Sequence, residues 1–129
     1  IKWSRGKLVS APGQPILLLH TRGAKSGQPR STPLLYTPDG ENYVIVASKA
    51  GAQHHPAWFH NLRAHPDDVA IEVRGQRVPV RPRVLEGAER EQTWALVNDN
   101  YNGYETYQHR AGQRVIPVVR LEPAAAAGA

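Results

Sequence analysis

The chain has 129 residues, of which 40% are hydrophobic and 21% charged, enough apolar material for one domain with one core. Cysteine is absent, which excludes disulfides, thiolate nucleophiles, iron–sulfur clusters and cysteine-based zinc sites. No apolar run approaches the ~20 residues that a membrane-spanning helix needs, and the longest compact one, Ile16–Leu19, is strand-sized. Sixteen Lys and Arg against eleven Asp and Glu give a net charge of +5, unevenly spread. Residues 1–38 hold six bases and no acid, and the first carboxylate is Asp39. Such a stretch favours an anionic partner: phosphate, nucleic acid or an acidic membrane.

Residues 1–15 carry Gly6, Pro12, Gly13 and Pro15 and read as a basic arm. The chain opens on Ile1 and contains no methionine, so an N-terminal extension is expected to be missing. Ile16–His20 reads as a buried strand. Gly23, Gly27 and Pro29 mark a turn into a second strand, about Ser31–Thr37. Pro38-Asp39-Gly40 signals a tight turn. Asn42–Ser48, rich in β-branched and aromatic residues, follows as a strand and completes an expected three-strand meander. A polar loop, 49–55, leads to Pro56, which suits the first turn of a helix. Trp58, Leu62 and Phe59 supply that helix's apolar face, and His65-Pro66-Asp67-Asp68 ends it. Val69–Arg74 and Arg77–Leu85 read as a hairpin across Gly75-Gln76. Pro79 and Pro82 make its second strand an expected edge or bulged strand. Glu86–Asn98 reads as a helix with Trp94 and Val97 inward and acids in its first turns. Tyr104–Arg110 is a short helix, and Arg114–Glu122 a last strand. The low-complexity tail, 124–129, has no expected fold role. The fold class is therefore α+β: a small barrel of about six mostly antiparallel strands with two or three helices, spanning 16–123.

Three constellations have chemical potential. Thr21–Arg30 packs Arg22, Lys25 and Arg30, two hydroxyls and two glycines between two strands. Glycines let backbone approach an anion, and Arg and Lys bind phosphate. On residue types alone an anion site and a solvated basic turn fit equally. Ala47–Trp58 joins a strand end to a helix start through small residues, room for a flat ligand beside helix-start amides; an ordinary connection fits equally. Tyr101, Tyr104 and Tyr107 recur every third residue and offer phenols for a pocket wall or proton transfer; a core aromatic stripe fits somewhat better. His54, His55, His60 and His65 lack metal-site spacing.

In order and spacing, these segments resemble the deazaflavin (coenzyme F420)-dependent nitroreductase and quinone reductase family, whose members have a split β-barrel. The telling pieces are Leu19-His20-Thr21-Arg22-Gly23-Ala24-Lys25-Ser26-Gly27-Gln28-Pro29-Arg30, Val46-Ala47-Ser48-Lys49-Ala50-Gly51-Ala52 and Pro56-Ala57-Trp58-Phe59-His60-Asn61-Leu62. The tyrosine triplet and Arg114-Val115-Ile116-Pro117-Val118-Val119 also fit. Two departures are His55, where the family usually shows Asn, and His65-Pro66, where it often shows Asn-Pro.

The resemblance implies a cofactor with a deazaflavin ring, a phosphate and a polyglutamate tail. It assigns Arg22, Lys25, Ser26 and Arg30 to the phosphate and tail. Ser31, Thr32 and Pro33 follow the cofactor edge, while Ala47, Ser48, Lys49, Gly51 and Ala52 line the ring or its side chain. Trp58 and Asn61 make a side contact. Tyr101, Tyr104 and Tyr107 face the substrate, with Tyr104 and Ser48 as catalytic hydrogen-bond or proton donors. The implied activity is hydride transfer from reduced F420 to a quinone, nitroaromatic or other electron-poor acceptor, with the cofactor supplying the difficult step. The alternatives are a flavin mononucleotide (FMN) reductase, a non-catalytic F420 carrier, and a basic barrel binding single-stranded nucleic acid. The tyrosines cluster away from the basic turn, which counts against nucleic acid. Other expectations are no metal, a homodimer, a cytoplasmic location and peripheral membrane contact through an N-terminal segment.

Overall fold

The structure, a computed structural model, describes residues 2–4, 7–9, 15–48, 54–100, 103–112 and 114–124. In chain order the elements are β1 (Lys2–Ser4), β2 (Lys7–Val9), β3 (Ile16–Arg22), β4 (Pro29–Leu35), β5 (Thr37–Asp39), β6 (Asn42–Val46) and α1 (Ala57–Ala64). They continue with β7 (Ala70–Val73), β8 (Gln76–Val84), α2 (Gly87–Asn100), α3 (Gly103–Ala111) and β9 (Val118–Pro123). The expected arm holds the antiparallel hairpin β1–β2.

The main sheet has seven strands in the order β4-β3-β7-β8-β9-β6-β5, and every neighbouring pair is antiparallel. The expected meander is therefore divided. β3 and β4 pair at one edge, with Leu19 opposite Thr32 and His20 opposite Ser31. β6 lies near the other edge, between β5 and β9. The turn read at Pro38-Asp39-Gly40 begins later than expected. Pro38 and Asp39 belong to β5, and Gly40 takes the left-handed φ of 61° that a tight turn needs. As an edge strand, β5 can hold a proline without losing a ladder bond on its open side.

β8 is a central strand, contrary to the edge expectation. It changes partner along its length: Gln76–Pro79 pair with β7, and Val80–Val84 pair with β9. Pro82 pairs with β9 alone, leaving one side where a missing N–H costs nothing, whereas Pro79 pairs with β7 and also accepts from Ala124 N–H at 2.9 Å through its carbonyl. This switch divides the curled sheet into the two halves of a split barrel.

Two cores share β6 and β9. Ile45, Ala47, Val119 and Leu121 point into the barrel with Leu17, Leu19, Ile71 and the α1 side chains Trp58, Phe59 and Leu62. Val44, Val46 and Val118 point the other way, against Leu85, Val97, Tyr104, Ala111 and Ile116 under α2 and α3. Both faces of these strands are covered, so they read as continuous apolar runs. Glu89 anchors α2 to the sheet by accepting from Arg83 at 2.8 Å and Arg120 at 2.9 Å. Among the described residues, no helix is long and apolar enough to cross a membrane.

Candidate functional site

The β3–β4 turn is built around Gly23. Its N–H donates to the Gln28 carbonyl at 2.8 Å, and its carbonyl accepts from Gly27 N–H at 2.9 Å. A side chain at position 23 would drive its Cβ into Ser26 Oγ, so the fold requires close approach there. Ser26 Oγ also accepts from Gln28 N–H at 3.1 Å. Gly27 takes a left-handed φ of 69°.

Asn61 fastens this turn to α1. Its Oδ1 accepts from Ala24 N–H at 2.9 Å, and its Nδ2 donates to Thr21 Oγ1 at 3.4 Å. Asn61 is buried, so both ends of its amide are committed. Between turn and helix lies an open cleft of ≈ 510 Å³, lined by Gly23, Ala24, Lys25, Ser26, Arg30, Ser31, Thr32, Ala57, Trp58, His60 and Asn61. Lys25 and Arg30 are exposed and make no ion pair recorded among the described residues. The cleft thus offers uncompensated cations, a hydroxyl row on β4 and the indole of Trp58.

Arg22 does not line the cleft. Its Nε donates to Asp68 Oδ2 at 2.5 Å and its Nη1 to the Gly27 carbonyl at 2.6 Å, so it braces the turn against the α1–β7 connection. Pro33 is exposed on β4 outside the cleft. Ser31 sits at the cleft with its Oγ 2.8 Å from His20 Nδ1, and His20 Nε2 is 2.7 Å from Glu72 Oε1. In the neutral ring Nε2–H donates to the carboxylate, and Nδ1 accepts from Ser31 O–H. This three-strand chain was not anticipated, because it joins residues far apart in sequence.

Ala47 and Ser48 lie beyond β6, outside the cleft lining. Their carbonyls accept from Arg114, Ala47 at 3.0 Å and Ser48 at 2.7 Å. Arg114 Nη1 is also 2.9 Å from His55 Nδ1. Burial lowers the Arg114 pKa from its ordinary value. His55 is likewise held below 6.5, first by burial and then by the charges of Arg114, His60 and Arg63. Lys49, Gly51, Ala52 and Tyr101 lie outside the described residues.

Tyr104 is only 6% exposed and stands within the second core, not on an open surface. Its ring centroid lies 6.3 Å from half-buried Tyr107 and 6.4 Å from Trp94, whose ring also takes the Arg90 guanidinium at 5.0 Å. Among the described residues no cluster of three metal-ligating side chains occurs.

A split barrel with a basic, glycine-shaped cleft between a hairpin turn and a helix defines a class: barrels that hold an anionic cofactor. The family model described as F420H(2)-dependent quinone reductase matches residues 4–123, and the chain belongs to that family. A relative from Mycobacterium tuberculosis strain H37Rv, named an F420H(2)-dependent quinone reductase, is 48% identical over 118 residues, covering 89% of this chain and 76% of the relative. A solved F420-H2 dependent reductase is 40% identical at a TM-score of 0.75, covering 84% of this chain and 94% of that one. Another solved chain, described as a domain-swapped dimer, has the same identity and TM-score and covers 84% and 80%. The HutZ haem storage protein of Vibrio cholerae, 18% identical at a TM-score of 0.59, shares the fold over 86% of this chain and 82% of its own.

Proposed function

We propose that the chain binds reduced F420 across the β3–β4 turn and α1 and reduces a quinone, with nitroaromatics as further acceptors. The observation carrying this reading is the pair Lys25 and Arg30, which line the cleft without an acidic partner among the described residues. The nearby acids Asp68 and Glu72 are taken by Arg22 and His20. A phosphate and a carboxylate tail match such a pair in charge and in preference for guanidinium. The open cleft suits a long, flexible tail.

When bound, F420 supplies the hydride. Lys25, Ser26 and Arg30 hold the phosphate and tail, with Ser31, Thr32 and Pro33 along the cofactor edge. Arg22 acts one step back by fixing the turn. Trp58 and Asn61 form the α1 wall. Ala47 and Ser48, with Lys49, Gly51 and Ala52, line the ring, and Ser48 Oγ donates to the negative charge that develops on the acceptor. Tyr101, Tyr104 and Tyr107 form the acceptor side. The buried Tyr104 contributes its ring as support for Tyr107, and its hydroxyl is the candidate proton donor.

The same reading has the protein act in the cytoplasm, as a homodimer, with peripheral membrane contact through a further N-terminal segment. Light scattering and membrane fractionation check these points. The central test is a parallel fluorescence titration with F420 and FMN. Saturable F420 binding is expected, weakened about tenfold by Arg30→Ala or Lys25→Ala, the loss of one charge-assisted contact. Preference for FMN, or binding of neither, refutes the reading.

A further inference from the structure

Arg114 joins two segments that flank the 49–53 connection. It holds the carbonyls of Ala47 and Ser48 at the end of β6 and meets His55 Nδ1, one residue before the Pro56 that opens α1. The Ala47 N–H separately donates to the Pro117 carbonyl at 3.0 Å. The amide side of the strand end is therefore fixed by backbone, and the carbonyl side by one guanidinium.

That guanidinium can only donate. His55 Nδ1 must therefore accept, which requires a neutral ring. Protonation converts the acceptor into a second donor 2.9 Å from a cation. The groups facing His55 offer no relief. From α1 come His60, 5.9 Å between ring centroids, Arg63, and the Phe59 ring at 4.9 Å; from the segment before β9 comes Arg114 itself. No carboxylate bonded to His55 is recorded among the described residues.

We propose that Arg114 and His55 are positioning residues for the carbonyl side of the β6 end, and that protonation of His55 releases that end and weakens cofactor binding in acid. The inference rests on the reading that Ala47 and Ser48 line the F420 ring.

The test compares the wild-type chain with His55→Asn, whose Oδ1 stands near the Nδ1 position as an acceptor that does not titrate. Amide shifts of Ala47 and Ser48 are followed by NMR from about pH 8 to about pH 5, together with the His55 ring signals. F420 affinity is measured by fluorescence over the same range. In the wild-type chain the amide shifts are expected to follow the His55 midpoint, and F420 affinity to fall about tenfold, the worth of one charge-assisted hydrogen bond. Both should be flat in His55→Asn. Wild-type amides that ignore the His55 titration, or an acid-side affinity loss that persists in His55→Asn, overturn the proposal. If F420 fails to bind at any pH, the cofactor reading falls, while the amide shifts still decide for or against the clamp.

Discussion

Replacing Gly23 with alanine tests how tightly the cleft turn is built. The added Cβ overlaps Ser26 Oγ, whereas the Gln28 carbonyl at 3.5 Å is an ordinary contact. Only a hydroxyl has to move, and rotation of Ser26 about its χ1 relieves the overlap. That rotation breaks the 3.1 Å bond from Gln28 N–H. Losing it costs about 1 kcal/mol, which corresponds to a drop of about 4 °C in Tm for a domain of this size. Ser26→Ala should cost about as much for the same lost bond. In the double variant no hydroxyl remains at position 26 to meet the new Cβ, and the combined cost should stay near about 1 kcal/mol instead of doubling. Urea unfolding of the four chains supplies the cycle. Strict additivity, or a Gly23→Ala cost above about 3 kcal/mol, the scale of a backbone-moving overpack, would refute the hydroxyl-rotation account.

Asn61→Ala removes the acceptor of the Ala24 N–H and the buried contact with Thr21 Oγ1, and should destabilise the chain by about 1–2 kcal/mol, with Asn61→Asp less harmful because it keeps the acceptor; denaturant midpoints check both. Tyr104→Phe should lower kcat with a quinone about tenfold or more, as loss of a proton-donating hydroxyl does, while Tyr104→Ala should in addition cost about 3–5 kcal/mol as a core cavity. A kcat within about twofold of wild type in Tyr104→Phe would remove the proton-donating role from its hydroxyl. The depressed His55 contributes stability that is fully present above its unfolded value of 6.5 and is lost as pH falls through its lower folded value. Urea midpoints should therefore decline as pH falls from 6.5 toward that folded value, more steeply in the wild-type chain than in His55→Asn, and level off below it.

Local pattern carried much of the fold. Pro56 and the Trp58–Leu62 spacing located α1 to within a residue, and the β-branched run read over Asn42–Ser48 located β6, which ends two residues sooner, at Val46. Strand order was not legible, because it rests on pairings such as β3 with β7 and β6 with β9 that leave no mark in a short window. The prolines of β8 illustrate this. Pro82 is tolerated because β8 has changed partner at Pro79–Val80, a switch that no local rule contains.

The cleft itself was legible as a basic, glycine-bearing turn beside a helix, but the division of labour within it was not. Arg22, Lys25 and Arg30 look alike in sequence. Only the fold brings Asp68, 46 residues away, onto Arg22 and leaves the other two without an ion pair among the described residues. Arg114 entered the reading only as part of a terminal motif, since its partners Ala47, Ser48 and His55 lie 59 to 67 residues upstream.

The edge strand β4 has a consequence for assembly. Pro29 and Pro33 stand four residues apart, so their backbone nitrogens face the same side of the strand. An intact ladder with β3 puts that side outward, where two amide donors are missing. Addition of a foreign strand along β4 would find gaps in its hydrogen-bond row, a common protection against open-ended aggregation. Pairing of a second copy along this edge, like fibre growth there, is therefore disfavoured.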